Sequence, residues 1–373
     1  MKFAFKIALV CLTLITFTSC TIAPPSEVID DVKEHKNRVS VDINAEPEYD
    51  TLENIYNSID EVIGKEYENL KLPDKLHIDK TDSLPRVKYE PFNMDKTLAK
   101  DLFSSFFGDK HFNKDYITTL VPPYTPSEEY RNIDARHRGV FAQGGYVICT
   151  FDEDKSLGIR NHKKVNIIHL DRGEQPTGSY MFSDGEMNVK DAVEKADKFL
   201  DEKVLNHLDD LKVKAKSVII YENKDDPELG HYYVIIYSKY LNGAPISDIP
   251  GLRDLDKHFN DCVEVFINSS KDILGYRNLM YYQEDIDATT DETNEYITLD
   301  SALKLTQKEL AGYRIVDISN IKINYISDIS IKTYRPFWTF EIDRNRVDDF
   351  DFIPRDFILV DMHTGEVIVS FKE

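Results

Sequence analysis

An α+β fold made of a repeated helix-plus-antiparallel-sheet unit is what this 373-residue sequence predicts. Three observations carry that expectation. Two stretches, one opening at Asn188 and one at Thr298, place apolar residues at helical spacing. Each is followed by four short runs of strand character, in the same order. The chain also holds 21 Tyr and 20 Phe beside one Trp, and aromatic rings favour pleated, half-buried surfaces.

The chain opens with Lys2 and Lys6 ahead of a short apolar run, Ile7 to Phe17, and then Thr18-Ser19-Cys20. That run is shorter than the ~20 apolar residues a spanning helix needs. The order of basic, apolar and small residues is that of an export signal. Phe17-Thr-Ser-Cys20 resembles a lipobox, with Phe17 in place of the usual Leu. Residues 1–20 are therefore expected to be a lipoprotein signal peptide. Cys20 is expected to carry the lipid that anchors the mature chain to the cell membrane, on its extracytoplasmic side. Residues 21–48 are polar, with Pro24 and Pro25, and are expected to form a flexible tether.

A smaller α+β region is expected over 49–186. It contains a helix from Asn54 to Leu70, short strands at Lys75–Ile78 and Arg86–Tyr89, and a helix from Asp95 to Phe107. Asp95 can cap that second helix, and Leu98, Leu102, Phe103 and Phe106 share one of its faces. Strands at Tyr146–Phe151 and Lys164–Leu170 close the region.

The first unit is expected over 187–296. Val189, Ala192, Val193, Ala196, Phe199 and Leu200 form its helical stripe, and its strands fall at Val213–Tyr221, Tyr232–Tyr240, Cys262–Ile267 and Ile273–Tyr281. The second unit, 297–373, repeats the order. Its stripe is Leu299, Ala302, Leu303, Leu305 and Leu310, and its strands are Ile321–Ile326, Tyr334–Ile342, Phe357–Val360 and Val367–Phe371. Asn188 and Thr298 are both residues that cap helix N-termini well. Duplication of one unit is the expected origin.

Three segments of the second unit carry a family resemblance: Thr298-Leu-Asp-Ser-Ala302, Trp338-Thr-Phe-Glu-Ile342 and Leu359-Val-Asp-Met-His-Thr-Gly-Glu-Val367. Together they resemble the PepSY domain, a cystatin-like helix-and-sheet unit. Met362 and His363 depart from the small residues usual in its turn. In the first unit Tyr240-Leu-Asn-Gly-Ala-Pro-Ile246 is similar to a segment of protease pro-region domains. The whole chain resembles a group of low-GC Gram-positive lipoproteins to which no function is assigned. The resemblance implies binding of proteases or other envelope proteins, with no catalytic residues carried over.

The chemistry agrees with that direction. The formal charge of −21 opposes nucleic-acid binding, which depends on Lys and Arg neutralising phosphate. Ser301-Ala-Leu-Lys304 matches Ser-x-x-Lys, but the Ser-Asp-Asn and Lys-Thr-Gly partners are missing. Ser301 and Lys304 are expected on a solvent-facing side. No enzyme, cofactor or metal site is expected. The acidic run Glu284–Glu295 has Thr290 where a calcium loop needs Gly, so it is expected to be a solvated linker. The loop from Asp343 to Asp351 reads the same way.

Cys149 and Cys262 both sit in apolar runs. Buried free thiols are the ordinary outcome there, and a Cys149–Cys262 disulfide is the alternative that export permits. In Tyr232-Tyr233 and Tyr281-Tyr282 neighbouring rings point to opposite faces. Tyr233 and Tyr282 are therefore the candidate binding surface. The expected function is binding or regulation of an envelope or secreted protein. Recognition of a glycan or small ligand, or assembly of a surface complex, are the alternatives.

Overall fold

The computed structural model describes residues 38–39, 46–91, 96–108, 112–115, 129–132, 138–142, 146–151, 162–208, 211–224, 230–247, 262–279, 282–289, 294–311, 315–328, 330–342 and 356–370. Cys20, nearly all of the expected tether, Asp95 and the Asp343–Asp351 loop lie outside them. So do the side chains of Cys262 and Tyr282.

The fold is α+β, with few helices and two large sheets that are almost wholly antiparallel. Helix α1 spans Leu52–Ile63 and α2 spans Lys96–Phe107. The first repeated unit is α3 (Val189–Lys203) followed by β1 (Lys212–Asn223), β2 (His231–Leu241), β3 (Cys262–Ile267) and β4 (Gly275–Leu279). The second is α4 (Leu299–Glu309) followed by β5 (Val316–Asp328), β6 (Thr333–Ile342), β7 (Phe357–Asp361) and β8 (Val367–Val369). In both, the four strands pair as a meander in chain order. The expected repeat of one helix and four strands is present.

Local chemistry explains both helix starts. The Asn188 side chain accepts from the Asp191 N–H at 2.7 Å, and the Thr298 hydroxyl accepts from the Ser301 N–H at 3.2 Å. Each stripe faces its own core. Val189, Ala192, Ala196 and Leu200 pack on the first sheet, while Leu299, Ala302, Leu303 and Leu310 pack on the second.

Residues 49–186 do not stand apart as a separate body. Helix α1 packs into the second core through Leu52, Ile55 and Val62, whereas α2 packs into the first through Ala99, Leu102, Phe103 and Phe107. Strand His162–His169 extends one edge of the first sheet beside β1, and Tyr146–Thr150 extends the other beside β4. Strand Val87–Pro91 pairs with β6 in the second sheet.

Helix α1 is shorter than expected. It stops at Ile63, where the Gly64 N–H closes onto the Asp60 carbonyl, and the chain then forms the short strands Glu66–Tyr67 and Leu70–Lys71. Lys75–Ile78 forms no strand. Part of the expected acidic linker does, since Tyr282–Thr289 pairs with Val87–Pro91.

The Tyr240–Ile246 segment links the two units. Asn242 and Gly243 both have positive φ, 47° and 84°, which suits a tight Asn-Gly hairpin turn. That turn carries Leu241, Ala244 and Ile246 out of the first unit and into the second unit's core. The Ser247 N–H then donates to the Tyr325 carbonyl of β5 at 2.8 Å.

Leu241→Ala should thus weaken the whole molecule. Truncating a buried Leu costs about 2–5 kcal/mol, and here the cavity opens in the neighbouring unit's core. Urea unfolding followed by the fluorescence of Trp338, in the second core, should shift to a lower midpoint. An unchanged Trp338 transition would contradict the insertion.

Candidate functional site

The densest chemistry among the described residues lies where the two sheets meet. On β6 the residues Trp338 and Phe340 face the α4 side, so Thr339 and Glu341 face the opposite way. Glu341 is 5% exposed, yet it is charged. The Lys322 Nζ on β5 donates to its Oε1 at 2.7 Å. The Arg172 guanidinium, from the turn after His162–His169, donates to Oε2 at 3.0 Å, and the Asn320 amide donates to the same oxygen at 3.1 Å. Lys322 also reaches the Asp171 Oδ2 at 2.6 Å. One carboxylate and one ammonium of the second unit thus bind the turn that edges the first sheet.

Beside this network lies a cavity of about 40 Å³. His77, Asp79, Lys216, Ser238, Tyr240 and Asn324 are among its lining residues. A single water needs roughly 10–15 Å³ by this measure, so the space suits a few waters. Tyr240 donates to Asp79 at 2.6 Å, and Lys214 pairs with the same carboxylate. Asp79 thereby ties the His77–Asp79 stretch, which lines the cavity, to the first sheet.

Burial pushes the Glu341 carboxyl up, but the Lys322 and Arg172 charges outweigh it and hold the group at about 2. Burial lowers His169, and the adjacent Arg172 lowers it further. Among the described residues no group of three or more His, Cys, Asp or Glu is arranged to hold a metal ion.

The Asp361–Glu366 turn is a second polar knot. Asp361 is fully buried; its Oδ1 accepts from the N–H groups of His363 and Thr364 at 2.9 and 2.8 Å. Its Oδ2 accepts from Arg335 Nε at 2.8 Å, and Arg335 also reaches Glu366 at 2.8 Å. Gly365 takes a φ of 75°. The turn's positive φ favours glycine, and a Cβ there would also stand 3.0 Å from Ile297 Cδ1, which would have to give way. The Asp-x-x-Thr-Gly-Glu motif is accounted for by this turn.

Several sequence expectations change here. Tyr233 is 0% exposed and is no binding surface; it packs against Phe182, and its hydroxyl donates to the Met187 carbonyl at 2.9 Å. Its neighbour Tyr232 points to the other face and is buried as well, among Ile219, Tyr221, Val234 and Phe266. Both faces of β2 are therefore covered. Ser301 is also buried rather than solvent-facing. Its hydroxyl accepts from the Glu48 N–H at 2.9 Å, and Lys304 is engaged by Asp300 at 2.6 Å.

Cys149 is a buried free thiol. It lies opposite Tyr276, on the far side of β4 from β3, which carries Cys262. Strands two places apart are separated by roughly 9–10 Å, too far for a disulfide. The Cys149–Cys262 bridge is therefore not formed.

No family model and no curated protein matches the chain. Solved structures do resemble it, two of them as follows. One is the crystal structure of an uncharacterized protein from Eubacterium rectale, 19% identical, with a TM-score of 0.55 over 85% of this chain and 98% of that one. What they share is the fold. The other is the C-terminal domain of Bacillus megaterium YpeB, 12% identical, with a TM-score of 0.30 over 75% of this chain and all of that one; no argument rests on it.

The junction makes a pH prediction with a definite sign. Glu341 sits at about 2 in the folded chain, below its ordinary value of 4.5. Its contribution is complete above pH ~4.5 and is lost as pH falls towards 2. Roughly 3 kcal/mol separates those limits. Glu341→Gln removes this titration, so the variant's urea midpoint should fall less than the wild type's between pH 5 and 2.5. Parallel losses in the two proteins would show that the carboxylate is not held this way.

Proposed function

We propose that this chain is a lipid-anchored extracytoplasmic protein that binds or regulates an envelope or secreted protein and does no catalysis. In this reading residues 1–20 are the lipoprotein signal, cleaved before Cys20, which stays on the mature chain and carries the lipid. Residues 21–48 form the tether, and tandem PepSY-like units over 187–296 and 297–373 make up the body.

The observation that carries the binding reading is the outer strand of the second sheet. Strand β8, Val-Ile-Val, is the last strand of its sheet among the described residues. The Asp361 N–H donates to the Glu366 carbonyl and the Ser370 N–H to the Phe357 carbonyl. Alternation along an antiparallel ladder then turns the backbone groups of Val367 and Val369 outward. One outer strand of the other sheet is built differently. His162–His169 carries Lys163 and Lys164 and has a bulge between Lys164 and Asn166, devices that discourage pairing with another chain. Strand β8 has neither. An apolar edge with neither of these devices suits a partner that adds an extended segment through backbone hydrogen bonds.

The interior supports the absence of catalysis. The Ser301 hydroxyl and the Lys304 ammonium are each held by other groups, Glu48 and Asp300. The cavity carboxylates are paired with Lys322, Arg172 and Lys214.

Two measurements test this function. Cys20→Ala should abolish labelling by a radioactive fatty acid and either release the protein or leave its signal uncleaved; normal labelling would remove the anchor. Val369→Pro deletes an outward N–H at an edge position where proline is tolerated. Affinity capture from the native envelope should lose its specific partner by about tenfold or more, with little change in the urea midpoint. Equal capture by variant and wild type would rule out this edge.

A further inference from the structure

No further inference is drawn: the strongest candidate, the aromatic face of the first sheet around Tyr221, Tyr232 and the Glu264–Arg277 pair, is buried, and nothing among the described residues shows what covers it.

Discussion

The buried carboxylate of Glu341 constrains how the two sheets can meet. An isolated charge at that depth would cost several kcal/mol in lost hydration. The cost is offset only if cations arrive with good geometry, and they come from two sources. Lys322 is local, on the strand that pairs with Glu341's, whereas Arg172 comes from the turn at the edge of the first sheet. Asp171 then balances Lys322 from the same turn. A shift of one sheet against the other would strand at least one charge. The network therefore fixes position more than it adds stability, since buried ion pairs contribute little against a well-packed apolar alternative.

Apolar packing supplies what the ion pairs do not. Leu241, Ala244 and Ile246 leave the first unit and lie in the second unit's core. Helix α1 serves the second core and α2 the first, although α1 precedes α2 in the chain. The N-terminal region thus threads both sheets, and neither unit completes its core from its own residues. Such interleaving favours a rigid body whose outer edge strands are held at a fixed spacing.

Much of this was legible in the sequence, and the failures have physical causes. Asn188 and Thr298 located both repeated helices, because caps and stripes are local. Cys262–Ile267 was located to the residue. Tyr233 was misplaced because alternation tells which residues share a face and not what covers that face. The run Tyr232-Tyr-Val-Ile-Ile-Tyr237 is continuously apolar, and that is the pattern of a strand buried on both sides. Ser301 was misplaced because the segment that covers it, at Glu48, is distant in sequence. The junction left one usable signal. Lys322 and Glu341 each sit between two apolar residues of a strand, and a charge in such a place asks for a partner. Nothing local named Arg172 or Asp171 as that partner.

The binding reading depends on a body that holds its shape while β8 engages a partner, so its central claim is that the two units behave as one. The single Trp makes this directly measurable. Trp338 is fully buried in the second core, where its indole N–H donates to the Ile297 carbonyl at 2.8 Å. Its fluorescence therefore reports the second unit alone. Amide hydrogen exchange of β1 and β2 reports the first. Across a urea series, loss of Trp338 fluorescence and loss of protection over Val218–Tyr221 and Val234–Tyr237 should coincide in one cooperative transition. Two separated transitions, with one unit melting while the other stays protected, would contradict the account.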